Sequence, residues 1–432
     1  MHRLRLSFIR KPASMSRKRK TLSKKLLSKL RQFGPGLITG ASDDDPSGIA
    51  TYSQAGARFG PQLLWTALAT YPLMVAIQEM CARIGLVTDR GLTGIIRQYY
   101  PRPLLYLILL VSFPSITMNI GADIAGMGAV ANMMLPAVPA PAFSIFFTLL
   151  LMYLIVQWNY RRIATVLKWL CLSLFTYLLI PFFADTNWWS ALVHTILPTV
   201  QWNAGFLFAL VGILGTTISP YLFFWQASME VEEENDLHLV VNNRVIKAMN
   251  TDVKGGIAFS NLVFYFIILA TGTVLFNAGI HNIETVEDAA KALQPLAGPL
   301  AGWLFAIGVL GTGMLAIPVL AGSLSYMMAE TFGWEEGMSK KFHEAKGFYI
   351  TLIVSLGVGL GILFTGLSPI KALLYTAVLY GTIAPILIGI ILHICNNKKI
   401  MGRYTNNRWQ NIAGICAMVL MTASAIALFL LY

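Results

Sequence analysis

Residues 40–50 read "GASDDDPSGIA", which places Asp43, Asp44 and Asp45 in a row inside a segment that is otherwise apolar enough to span a membrane. Leu37 and Ile38 precede the acids, and Ile49, Ala50 and Tyr52 follow them. The apolar run begins at "FGPG", residues 33–36, about ten residues before the aspartates. At roughly 1.5 Å per helical residue they lie about 15 Å in, near the middle of a bilayer. Pro46 supplies no backbone donor and disfavours helix at Asp45, and Gly48 loosens the next turn, so the helix is expected to unwind here. Intramembrane carboxylates are costly enough to imply function. The spacing is not that of an EF-hand loop, which alternates its ligands and ends on a distal Glu.

The rest of the chain fits a polytopic membrane protein. Of 432 residues, 56% are hydrophobic and 12% charged, with a mean hydropathy of +0.64, which excludes an ordinary soluble domain. At about 20 apolar residues per helix, eleven spans are expected: 33–59, 62–87, 103–134, 141–158, 162–183, 203–228, 252–277, 299–328, 347–365, 370–394 and 410–431. Cys81, Cys171, Cys395 and Cys416 lie far apart in apolar stretches. They read as small buried core residues rather than a disulfide framework or a zinc site.

The net charge of +12 comes from the first 31 residues, which hold twelve Lys or Arg and no acid. This is no nucleic-acid footprint. In "KTLSKKLLSKLRQF", residues 20–33, Leu22, Leu26, Leu27, Leu30 and Phe33 recur at helical spacing among lysines. An amphipathic helix on an anionic cytoplasmic lipid surface and a disordered basic tail both fit residues 1–32. The loops holding Arg90, Arg97 and Arg102, Arg161 and Arg162, Lys340, Lys341 and Lys346, and Lys398, Lys399, Arg403 and Arg408 share that side. The loops "MLPAVPAPAF" (134–143) and "ADTNWWSALVHTILPTVQWN" (184–203) contain no Lys or Arg. The positive-inside rule therefore places the N-terminus in the cytoplasm and the C-terminus outside, in a multi-pass protein of the cell inner (plasma) membrane. Residues 230–236 hold Glu230, Glu232, Glu233, Glu234 and Asp236, a solvated face or a collector of cations.

The sixth span repeats the disturbance of the first. In "GILGTTISPYLFFWQAS", residues 212–228, Gly215, Thr216, Thr217 and Ser219 lead into Pro220. Breaks five spans apart fit two five-helix halves of opposite topology, residues 33–183 and 203–394, with 410–431 as an additional helix. Paired broken helices point to a transporter's midplane site. Carboxylates and freed carbonyls call for a cation, and two or three acids suit a divalent one. The donors in reach are Asp, Thr and Ser oxygens and carbonyls, without Cys, Met or His, which suits Mg2+, Ca2+ or Mn2+.

Among other intramembrane polar groups, Asn119 and Asp123 share a helix face in the third span. Glu79 and Arg83 are an i,i+4 pair in the second, read as a local ion pair with a snorkelling Arg or as a gate. Asn261 in the seventh either touches the pathway or bonds a neighbouring helix.

These features together resemble the NRAMP divalent-metal transporters, whose all-α fold is the LeuT-type 5+5 inverted repeat. "GPGLITG" (34–40) and "DDDPSGIATYSQAGARFG" (43–60) are similar to that family's first helix with its Asp-Pro-Gly-Asn signature. "CARIGLVTDRGL" (81–92), "NIGADIAGMGA" (119–129), "GTTISPYLFF" (215–224) and "AFSNLVFY" (258–265) are similar to segments of its second, third, sixth and seventh helices. The resemblance implies a metal site of Asp45, Asp44, the Ser42 and Thr216 carbonyls, and the positions now held by Gly48 and Ser219. Asp43 is expected to contribute field at the outer approach, with Thr217 and Tyr221 nearby.

The departures from the family pattern are chemical. Ser47 and Gly48 stand where the signature has Gly and Asn, and Ser219 replaces a methionine thioether. Tyr221 replaces a histidine, and Gly126 a glutamate. The chain resembles the NRAMP-related magnesium transporters, which implies uptake of Mg2+, and also Mn2+, by alternating access without proton coupling. The metal is then cargo rather than cofactor, and the protein is not an enzyme. The alternative is a proton-coupled Mn2+/Fe2+ symporter; an intramembrane aspartyl protease using Asp45 and Asp123, or an amino-acid carrier, is more remote.

Overall fold

The computed structural model describes residues 34–158, 162, 175–238, 240–283, 286–291, 298–365 and 369–431. The chain divides at Gly34 into an N-terminal unit, of which only Gly34 is described, and a body beginning at Pro35. The basic segment 1–32 and Cys171 therefore fall outside the described residues. Among the described residues there is no strand.

The first expected span is two helices, α1 (Pro35–Asp43) and α2 (Pro46–Phe59). A short 3-10 turn leads to α3 (Trp65–Thr88), and α4 (Leu92–Tyr99) precedes α5 (Arg102–Met134) and α6 (Ala140–Gln157). Of the fifth span only its end is described as helix, α7 (Phe175–Phe183), and α8 (Trp188–Ile196) lies in the tryptophan-rich loop. The sixth span is also two helices, α9 (Ala204–Thr217) and α10 (Pro220–Leu237). After α11 (Asn243–Thr271) and the short α12 (Val286–Lys291) come α13 (Ala301–Phe332), α14 (Lys346–Ile362) and α15 (Pro369–Asn396). One turn, α16 (Lys398–Met401), precedes the final helix α17 (Arg408–Leu431).

Eight helical stretches among the described residues are long and apolar enough to cross a membrane, against eleven expected. The difference has local causes. α1 and α2 are each too short alone, α3 carries Gln78, Glu79 and Arg83 in its buried half, and the fifth span is only partly described. α4, α8 and α12 were not expected. They lie in connecting segments, where a turn or two of helix satisfies backbone groups that would otherwise need water.

The outer surface is apolar, and polar groups are buried within a largely apolar interior. Leu110, Phe146, Leu149, Tyr153, Val354, Ile415 and Val419 are exposed, whereas Asp43, Asp44, Asp45, Asp123, Gln78 and Gln226 are buried. An apolar outer surface of this extent suits a lipid surround. Close helix contact relies on small residues. A Cβ on Gly40 of α1 would fall 2.1 Å from the Gly256 carbonyl oxygen of α11, so only glycine permits this approach. α13 is the most enclosed of the spanning helices and packs on α5, α10 and α14. α1 and α2 lie against α11, and α10 against α3. Cys81 and Cys395 are buried as expected, but Cys416 is exposed, because its position on α17 faces outward.

Candidate metal site

The backbone leaves helix α1 after Asp43 and re-enters helix α2 at Pro46, so the unwound segment is Asp44–Asp45 alone. That is shorter than the expected disturbance through Gly48. Pro46 occupies the first helical position, where its missing donor is harmless. Asp45 is the N-cap, extended at φ −69° and ψ 170°. Its Oδ1 accepts from the Gly48 N–H at 2.6 Å and from the Ser47 hydroxyl at 2.6 Å, and its Oδ2 accepts from Asn119 Nδ2 at 3.0 Å. Asn119 therefore reaches the site directly from α5.

The three aspartates diverge. Asp43 and Asp44 turn to α11, where the Ser260 hydroxyl lies 2.9 Å from Asp43 Oδ2 and 3.5 Å from Asp44 Oδ1. Asp43 is 1% exposed. Being the last residue of α1, it is carried inward by the packing of that helix on α11. No group of three or more His, Cys, Asp or Glu side chains among the described residues converges as a metal cage. The reason is local: at a helix-to-extended transition, consecutive side chains project in different directions. Side chains and backbone oxygens from several helices instead meet around the two breaks.

The second break supplies the rest. α9 ends at Thr217, and α10 begins at Pro220 with Ser219 as its N-cap residue. Two tyrosines join the breaks. The Tyr221 hydroxyl donates to the Ser42 carbonyl at 3.1 Å, and the Tyr52 and Thr217 hydroxyls lie 3.2 Å apart. The Ser219 hydroxyl donates to the Thr216 carbonyl at 2.6 Å and to that of Gly215 at 3.2 Å. The carbonyls of Ser42 and Thr216 are therefore freed from helix, as expected at a break, and each keeps a lone pair beyond its hydroxyl donor.

Several sequence expectations are corrected. Gly48 presents an N–H to Asp45 rather than a ligand, and a Cβ there would meet the Asp43 carbonyl oxygen at 3.2 Å. Asn261 takes the second of its two readings and bonds a neighbouring helix, accepting from Thr70 of α3 at 3.1 Å while donating to Ile257 O. Its neighbour Ser260 is the seventh-span residue at the site. Glu79 and Arg83 form no direct ion pair. Gln410 of α17 stands between them, donating to Glu79 at 2.9 Å and accepting from Arg83 at 3.0 Å. Arg83 also donates to Asn406, and Glu79 pairs with Lys254 at 3.3 Å. Arg83 is buried and does not snorkel, because Gln410 and Asn406 satisfy it in place.

Asp123 lies near Asp45 and Ser47, is fully buried, and neither carboxylate oxygen has a hydrogen-bond partner. Asp43 Oδ1 and Asp44 Oδ2 are also unpartnered. None of the four aspartates has a hydrogen bond or ion pair to Lys or Arg among the described residues. Four buried carboxylates without a cationic side chain leave a demand for positive charge that several kcal/mol of desolvation per ion makes strong. Ser260, Tyr52 and Tyr380 were not singled out in the sequence. Ser260 adjoins Asn261 in the seventh span, whereas nothing in the sequence marks Tyr380.

The sequence matches the family described as natural resistance-associated macrophage protein-like (Nramp) over residues 36–431. It is 24% identical to the divalent metal cation transporter MntH of Caldanaerobacter subterraneus subsp. tengcongensis over 428 residues, covering 98% of both chains. It is 25% identical to the MntH of Chromohalobacter salexigens over 416 residues, covering 93% of this chain and 90% of that one. The fold is similar to that of the Eremococcus coleocola manganese transporter, with a TM-score of 0.76 at 19% identity over 97% of this chain and 88% of that one. It is also similar to Mhp1, a nucleobase-cation-symport-1 family transporter, with a TM-score of 0.56 at 14% identity over 93% and 92%.

Proposed function

The chain belongs to the Nramp family, and from that premise we propose that it carries divalent metal cations through the membrane by alternating access, Mg2+ foremost and Mn2+ as well. The observation that carries this reading is the set of buried aspartates, Asp43, Asp44, Asp45 and Asp123, with no cationic side chain bonded to them. A divalent cation offsets that charge, and its departure restores the cost, which favours passage over permanent retention. Asp45 and Asp44 serve as principal ligands, assisted by the carbonyls of Ser42 and Thr216. Thr217, Ser219, Tyr221 and Asn119 line the pathway. The names of the MntH relatives support a divalent metal cation as cargo, and that of the Eremococcus transporter supports Mn2+.

Mg2+ is placed first on ligand chemistry. Every donor at the two breaks is oxygen, and Ser219 stands where a thioether would favour softer metals. Mg2+ keeps several waters and needs few direct ligands, which suits aspartates that diverge rather than cage. Tyr221 and Gly126 provide no group that titrates near neutral pH, which supports transport without proton coupling. The halves 33–183 and 203–394 act as the two repeats, with 410–431 added. The N-terminus lies in the cytoplasm, its basic residues against anionic lipid, and the C-terminus lies outside. Uptake into proteoliposomes tests the site: Asp45→Ala should abolish Mg2+ and Mn2+ entry, and a normal rate in that variant would remove Asp45 from the pathway.

A further inference from the structure

Tyr380 of α15 is buried at 3% exposure, and its hydroxyl has no hydrogen-bond partner. Its ring packs on Tyr221 at 6.2 Å between centroids, and both Asp45 and Asp123 lie within its electrostatic reach. Asp123 brings two more unpartnered oxygens to the same region; the Ser47 N–H faces it without meeting hydrogen-bond geometry. Space is available one turn along α5. A Cβ on Gly126, one turn along α5 from Asp123, would meet only the Pro46 Cβ, at 3.6 Å.

Buried polar atoms without protein partners are satisfied by water where there is room and there are two to four such partners. From this we propose that Asp123 and Tyr380 form a water-binding wall beside Asp45, holding waters that stay on the cargo ion while Asp45 holds the ion itself. The two residues thereby set selectivity. An ion that dehydrates reluctantly, as Mg2+ does, needs those waters accommodated, whereas one that sheds them more readily depends less on the wall. The ring of Tyr380 serves packing on Tyr221, and only its hydroxyl serves the water. This inference rests on the divalent-cation reading above.

The test compares wild-type protein with Tyr380→Phe and Asp123→Asn in proteoliposomes, measuring KM and maximal rate for Mg2+ and Mn2+. Hexaamminecobalt(III), whose ligands do not exchange, is the competing mimic of a fully hydrated ion. Loss of one water-mediated contact is expected to raise the Mg2+ KM about tenfold in Tyr380→Phe and the Mn2+ KM about threefold. Inhibition by hexaamminecobalt(III) should weaken in parallel with the Mg2+ effect. Equal changes for the two metals, or unaltered inhibition by the cobalt complex, would overturn the inference. Should Tyr380→Phe fail to elute as a monodisperse species, Asp123→Asn decides by the same ratio. Wild-type vesicles that carry no divalent metal defeat the functional reading itself. Vesicles that lose uptake with Asp45→Asn but keep their Mg2+/Mn2+ ratio with Tyr380→Phe defeat this inference alone.

Discussion

Asp45 does two things that substitution can separate. As the N-cap of α2 it accepts from Gly48 N–H and the Ser47 hydroxyl, and it holds Asn119 from α5. As a carboxylate it carries the charge the cargo needs. Asp45→Asn keeps a good cap, since Asn ranks with Asp at that position. Its side-chain oxygen replaces Oδ1, and a flip of Asn119 turns an oxygen toward the new amide, so stability should change by less than about 1 kcal/mol. Asp45→Ala removes the cap, at about 0.5–2 kcal/mol, and orphans the buried Asn119 amide, at about 1–3 kcal/mol. The sum is roughly 2–4 kcal/mol, allowing for overlap between the two losses. Thermal unfolding in detergent, followed by size-exclusion chromatography, reads stability, and proteoliposome uptake reads transport. The expected pattern is no transport in either variant, with only Asp45→Ala losing stability. Normal transport in Asp45→Asn, or an Asp45→Ala as stable as wild type, would refute the double role.

Three further outcomes are expected. Ser219→Met places a thioether at the second break, so Cd2+ should compete with Mn2+ uptake about tenfold more strongly than in wild type, as soft-ligand preference dictates; competition assays check it. Gln410→Ala leaves buried Glu79 and Arg83 each short of a partner, and should lower stability by roughly 2–4 kcal/mol in thermal unfolding. The third concerns Glu336, in the loop between α13 and α14. Its carboxyl is pushed up to about 9 by burial, then by Glu330 and Glu232, with Lys340 opposing. The folded state therefore holds a proton that the unfolded state releases above the ordinary glutamate range, so this group's contribution to stability falls as pH rises from about 4.5 towards 9. Glu336→Gln should stabilise the protein at pH 8 and leave it unchanged at pH 4.5, as unfolding at the two pH values will show.

Reading from the sequence worked where chemistry is local. Pro46 and Pro220 mark both broken helices, because a proline that lacks a donor is at home only in a first turn. The apolar spans follow from composition, since lipid leaves few alternatives. What stayed hidden depends on direction. Three adjacent aspartates in the sequence suggest one cluster, but the turn between α1 and α2 sends Asp43 and Asp44 to Ser260 and Asp45 to Asn119. The spacing of Glu79 and Arg83 suggests a pair, yet Gln410, more than 300 residues away in sequence, stands between them. Tyr380 is one of sixteen tyrosines, and only the packing of α15 brings it towards the site.

The central claim is that these oxygens carry a hydrated hard cation without a proton. Purified protein in liposomes loaded with a pH-sensitive dye, given Mg2+ or Mn2+ outside, measures metal entry and proton movement together. The account predicts entry of both metals, Mg2+ included, with no change in internal pH beyond that of protein-free vesicles. Acidification accompanying Mn2+ entry, with Mg2+ excluded, would contradict it.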